Sequence, residues 1–142
     1  MQSLRRLAAT LGISDKVSFP GYLTRARVRE AMWRANAFVH ASSFETFGVV
    51  LIEAMSTGMP VVSTACGGPS EIVGPDDGIL VPLGDEAGLA AAMRRIMAET
   101  GQFNAVKIRE RTVRRFDRRI VSEQLIGVYR DVMSRVSSSP KA

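Results

Sequence analysis

From residue 35 to residue 92 the sequence contains no lysine and no arginine, although it carries seven aspartates and glutamates there. The whole chain has one cysteine, Cys66, and one histidine, His40. A lone cysteine excludes an internal disulfide, and one cysteine with one histidine excludes a metal site built on those ligands. Six Phe, two Tyr and one Trp are too few to interleave with basic residues as a nucleic-acid surface does. No apolar run approaches the length of a membrane span. The N-terminus, "MQSLRRLAATLG", has no long apolar core and no small-residue cleavage site, so a signal peptide is not expected. Together these absences point to the cytoplasm.

What remains is the make-up of one ordinary folded domain: 142 residues, 46% hydrophobic and 23% charged. The net charge of +5 belongs to the flanks, with seven Lys/Arg in residues 1–34 and nine in residues 103–136. An anionic, apolar centre between basic flanks does not suggest nucleic acid, and none is expected as a partner. A peripheral contact of the flanks with anionic lipid at the inner membrane face stays open.

Short β-like runs alternate with helix-like ones. Leu4, Leu7, Ala8 and Leu11 form a helical stripe that stops at Gly12. "KVSFPG" reads as a short strand, and Thr24 as the cap of a helix striped by Val28, Ala31, Met32 and Ala35. "AFVHAS", "PVVST" and "GILVP" read as strands. Asp85 caps a helix whose Leu89, Met93, Ile96 and Met97 share a face. This alternation predicts an α/β fold with a Rossmann-like parallel sheet flanked by helices, over residues 1–103. Residues 104–136 read as C-terminal helices of the same domain, broken near Phe116–Asp117, with a stripe of Val121, Leu125, Val128, Val132 and Val136 opposed by arginines. A solvated basic face on a packing helix accounts for those charges. Residues 137–142 read as a disordered tail.

The chemistry concentrates in "ETFGVVLIE". Glu45 and Glu53 bracket seven residues of which only Thr46 and Gly48 are not hydrophobic. Carboxylates buried without a partner are costly. If a helix begins near Thr46 to Gly48, its free N–H groups and positive dipole end favour an anion. Glu45 then stands just before that helix, and Glu53 lies two turns deeper, ~80° around the axis. Both can face one crevice beyond the carboxyl end of the "AFVHAS" strand, where open α/β sheets bind ligands. Carboxylates with no cation nearby in sequence suit hydroxyl-rich ligands, because each oxygen accepts from a sugar O–H.

Plainer readings exist for each residue. Glu45 alone could be a helix-start acid, and Glu53 could sit on an exposed face. His40 at a strand end is more often a satisfied polar group than a base, and Cys66 more often packs than reacts. "GGPSE" is a common turn and no P-loop, since no Gly-Lys-Ser/Thr follows.

The combination is more specific. Glu45, Phe47, Gly48, Glu53, Ala54, Gly58, Pro60, Val61 and Val62 meet in full the pattern E-x-F-G-x4-E-A-x-x-x-G-x-P-V-V. Ser42, the Gly67, Gly68 and Glu71 turn, and "GILVP" match on either side. From about Leu4 to Met133 the chain resembles the C-terminal, donor-binding domain of group 1 retaining glycosyltransferases of the GT-B fold. The resemblance implies that Glu45 contacts and orients the donor sugar's hydroxyls, without being the nucleophile. It implies that Thr46, Phe47, Gly48 and Val49 meet the sugar or diphosphate, and that Glu53 binds the ribose. Tyr22 and Leu23 would lie by the base. It implies a nucleotide-diphosphate sugar as donor substrate, with no cofactor and no metal.

Against the family's full length, the chain lacks the N-terminal GT-B domain and the first β-α-β unit of the C-terminal one, whose Arg and Lys neutralise the diphosphate. A fragment that transfers no sugar alone, and that self-associates through exposed edges, is therefore expected. Two other functions stay open: another GT-B-like enzyme, such as a nucleotide-sugar epimerase or a phosphorylase, and a non-catalytic binding or assembly module that uses the basic helices.

Overall fold

Three short segments form the strands β1 (Phe38–His40), β2 (Val61–Thr64) and β3 (Gly78–Val81). The computed structural model describes residues 1–99 and 101–138, with side chains as far as Arg135. The strands pair in parallel in the order β1-β2-β3, Phe38 opposite Val61 and Val62 opposite Ile79. All four residues of β2 are buried, as expected of a central parallel strand covered on both faces. The predicted parallel α/β architecture is thus the one observed.

Two compact units divide the chain, residues 1–31 and 32–142. In the first, α1 (Gln2–Thr10) ends in a Schellman arrangement: Ile13 N–H donates to the Ala8 carbonyl and Gly12 N–H to that of Ala9, each at 3.0 Å. Thr24 caps the start of α2 (Arg25–Arg34), its hydroxyl accepting from Arg27 N–H at 3.4 Å. The segment 16–21, expected as a strand, is not one. A strand exists through its ladder, and this backbone forms none with any described residue. The Phe19 carbonyl instead accepts from the Arg5 guanidinium at 3.1 Å.

In the second unit α3 (Val49–Ser56) links β1 to β2, and α4 (Gly68–Ile72) links β2 to β3. Then α5 (Glu86–Ala98) follows, capped by Asp85, whose carboxylate accepts from Gly88 N–H at 2.7 Å. Of the stripe expected on α5, Ile96 is buried, whereas Met93 and Met97 are exposed. Those two methionines line an open groove of about 760 Å³ with Met32, Trp33, Met59 and Phe103. Nothing among the described residues closes that groove over them.

The last helices are α6 (Ala105–Phe116) and α7 (Arg118–Ser138), separated at Asp117 as expected. The arginines of α6 are not simply a solvated face. Arg115 donates to the Ile72 and Glu71 carbonyls at 3.0 and 2.9 Å, closing the C-terminus of α4. Arg111 donates to the Asp77 carboxylate at 2.8 Å and to the Asp76 carbonyl at 2.9 Å. Arg109 donates to the Ser56 carbonyl at the end of α3 at 3.1 Å. By contrast, Val121, Leu125, Val128 and Val132 of α7, expected to pack, are all about half-exposed. Helix α7 runs to Ser138, into the segment expected as a tail; residues 139–142 and the Val136 side chain lie outside the described residues. No helix among the described residues is long and apolar enough to cross a membrane.

Candidate functional site

The start of α3 is set by Gly48, which has φ +93°, a backbone conformation that only glycine adopts without strain. The helix therefore begins at Val49, and Gly48 is its N-cap rather than a first-turn residue. Glu45 stands three residues earlier. One of its carboxylate oxygens, Oε1, accepts from Phe47 N–H and from Gly48 N–H, each at 3.1 Å. The plain helix-start role of Glu45 is thus real. It also means that, of the four residues expected to meet the sugar or diphosphate, Phe47 and Gly48 already have their backbone N–H groups engaged. The N–H groups of Val49 and Val50 have no intrahelical acceptor, being in the first turn.

The segment carrying Glu45 is held against the loop after β2. Glu45 forms an isolated parallel bridge with Gly67, and its carbonyl accepts from Gly68 N–H at 2.9 Å. Gly67 has φ +66°. A Cβ on Gly68 would sit 2.3 Å from the Phe47 carbonyl oxygen, so only glycine fits. The paired glycines of "CGGPSE" are therefore required by close approach to the Glu45–Phe47 turn. Thr64 adds a second tie, its hydroxyl donating to the Ser42 carbonyl at 2.6 Å. Ser42 in turn shapes the bend before Glu45, its hydroxyl donating to the Phe44 carbonyl at 2.9 Å.

His40, which the sequence suggests is a satisfied polar group, lies at the carboxyl end of β1 beside Glu45. Its Nε2 lies 3.8 Å from Oε2 of Glu45, and its Nδ1 lies 3.4 Å from the Ser63 hydroxyl. The strand register could have found this contact, since His40 is the ladder partner of Ser63. Phe47 is half-exposed and meets the Phe116 ring edge-on, with centroids 6.3 Å apart.

The remaining predicted residues are more dispersed. Thr46 and Val49 are exposed, and so is Glu53, one residue ahead of buried Ala54. The Glu53 carboxylate has no hydrogen bond or ion pair with any described residue. None of the motif residues from Glu45 to Glu53 lines the methionine groove. In the N-terminal unit, Tyr22 is 95% exposed and Leu23 half-buried on the loop ahead of α2. Cys66 is buried 3.5 Å from the Thr64 hydroxyl, a packing position. Among the described residues no three His, Cys, Asp or Glu side chains group as metal ligands.

Comparison with known proteins places this geometry. Residues 1–115 match the family described as "Glycosyl transferases group 1". The chain is 34% identical over 121 residues to the GDP-mannose-dependent alpha-mannosyltransferase of Mycolicibacterium smegmatis, covering 84% of this chain and 32% of that protein. It is 32% identical over 134 residues to the D-inositol 3-phosphate glycosyltransferase of Acidothermus cellulolyticus, covering 94% of this chain and 30% of that one. Sucrose-phosphate synthase from Thermosynechococcus elongatus superposes with a TM-score of 0.82 at 31% identity, over 94% of this chain and 34% of that one. HepE of Anabaena, solved in complex with UDP, superposes with a TM-score of 0.75 at 27% identity, over 97% of this chain and 36% of that one. This chain thus spans about a third of the length of these relatives. The fold is that of the Rossmann-like C-terminal half of a GT-B enzyme. Motif, parallel sheet and matched length agree: the chain belongs to the group 1 glycosyl transferases.

Proposed function

We propose that the chain is the donor-binding domain of a parent enzyme that transfers a hexose from a nucleotide-diphosphate sugar to an acceptor hydroxyl, with retention. The observation that carries this reading is the state of Glu45. Two backbone N–H groups at the α3 start fix one of its oxygens, and the other is turned to His40 rather than to any Lys or Arg. A carboxylate oriented this firmly, at the C-terminal end of a parallel strand and uncompensated by a cation, suits the hydroxyls of a sugar. Relatives support the donor class: one is named as GDP-mannose-dependent, and HepE was also solved with UDP-glucose.

In this reading Glu45 orients the sugar, and the backbone of Thr46 to Val49 faces the sugar and diphosphate. Glu53, solvent-facing and unpaired, accepts from the ribose hydroxyls. The acceptor site and the cations for the diphosphate come from parts of the parent that this chain does not contain, so the chain alone turns over no donor. No cofactor and no metal are invoked.

Titration of the 15N-labelled chain with UDP-glucose and with GDP-mannose tests the assignment. At least one donor is expected to shift the Gly48, Val49 and Glu53 amides, and Glu53→Ala to weaken binding. A folded chain in which neither donor moves these amides at millimolar concentration overturns it. A second reading, an assembly module, is favoured by one observation, the exposed apolar stripe of α7. Association unaffected by donor would support it.

A further inference from the structure

The protons around Ser63 can be counted. Ser63 is fully buried, and its hydroxyl, which has a single proton, donates to the Thr64 carbonyl at 3.1 Å. Its oxygen can then only accept from His40 Nδ1, 3.4 Å away. The neutral ring therefore carries its proton on Nδ1, and Nε2 presents a lone pair. That lone pair faces Oε2 of Glu45 at 3.8 Å, beyond direct hydrogen-bond range. Oε2 is the oxygen that takes neither N–H of the α3 start, both of which go to Oε1. Two acceptors thus stand side by side with no donor between them. Both side chains remain open to solvent, at 15% and 29% exposure.

We propose that His40 Nε2 and Glu45 Oε2 together read two adjacent hydroxyls of the donor sugar, making His40 a specificity-determining residue. Neighbouring ring hydroxyls offer two protons on the same side, one for each acceptor. A hydroxyl replaced by hydrogen, or turned to the other face, leaves one acceptor unmet by the sugar. Ser63 acts one step back, fixing the tautomer through the β1–β2 register. The inference rests on the donor-site reading of Glu45, and its test separates the two.

His40 is the chain's single histidine, so its ring gives one set of resonances. Long-range 1H–15N correlation on the ligand-free chain at pH 8.5 should show the proton on Nδ1. A proton on Nε2 overturns the proposal whatever the chain binds. UDP-glucose and GDP-mannose are then compared with UDP and GDP. The sugar-bearing ligand is expected to shift the His40 ring, and the bare nucleotide to leave it in place. His40→Leu should lower the preference for the sugar nucleotide over the bare nucleotide by roughly three- to tenfold. His40→Gln, which restores an acceptor, should recover part of it. Equal weakening of both ligands would mark His40 as merely structural and refute the inference. Shifts at Gly48 and Glu53 without any at His40 refute the inference but leave the donor site standing. No shift at any of these residues with either donor refutes both.

Discussion

Arg111→Ala should be among the most destabilising single changes in the chain. Asp77 is 6% exposed, and its carboxylate is held by Arg111 Nε at 2.8 Å and by Gly74 N–H at 3.3 Å. Its backbone carbonyl also accepts from Val61 N–H at 3.1 Å, tying the turn to the central strand. Removing the arginine leaves a buried carboxylate with one neutral donor, and breaking such a pair costs about 3–5 kcal/mol. The Arg111 side chain is 34% exposed, so water reaches this pair from one side and the lower end applies. At about 3 °C per kcal/mol for a chain of this size, the melting temperature should fall by about 10 °C. Asp77→Asn keeps a hydrogen-bonding side chain and strands no buried charge, so it should cost only about 1 kcal/mol. The pair Arg111→Met with Asp77→Leu should be more stable than Arg111→Ala alone, although both charges are gone. Thermal unfolding followed by circular dichroism, checked by calorimetry, reads all three. Arg111→Ala within about 2 °C of the parent chain would show that water already solvates Asp77 and that the burial argument fails.

Gly68→Ala places a Cβ where the Phe47 carbonyl stands, so it should cost roughly 2 kcal/mol or more and move the Phe47 amide, read by thermal melts and 1H–15N spectra. Glu45→Ala should lose about 1 kcal/mol of helix-start stabilisation, while Glu45→Gln, which keeps an acceptor, should lose less; comparing their melting temperatures checks this. Asn104→Ala removes the cap of α6, whose carboxamide oxygen accepts from Lys107 N–H at 3.0 Å, and should cost about 1 kcal/mol in the same assay. Leu125→Glu on exposed α7 should leave the melting temperature unchanged and shift any self-association seen by light scattering toward monomer.

Features that depend on neighbours in the chain were the legible ones. Three of the four expected strands, the Asp85 and Thr24 caps and the break at Asp117 follow from residues a few places apart, and these are observed. The Glu45–Gly48 turn could be placed because the glycine and the acid lie within one bend of backbone. Features that depend on distant partners were not legible. The arginines of α6 look like solvated charge because their acceptors lie 34–53 residues away. Segment 16–21 has strand-like residues, but a strand requires a neighbour and this one has none among the described residues. The α5 methionines fit a helical stripe, yet periodicity cannot say whether a second surface exists to cover it. His40 read only as a satisfied strand-end group because its contacts lie in register, which places Ser63 beside it from 23 residues away.

The grip of α6 on earlier parts of the chain bears on synthesis from the ribosome. Helix α3 ends under Arg109, the β3 turn under Arg111 and the end of α4 under Arg115. A nascent chain that has emerged only as far as Pro82 contains the residues of all three strands and of the Glu45 turn, but none of these fastenings. The buried carboxylate of Asp77 has no counter-ion until residue 111 clears the exit tunnel. A ribosome stalled within α5 would therefore hold a sheet and a Glu45 turn not yet fastened by α6.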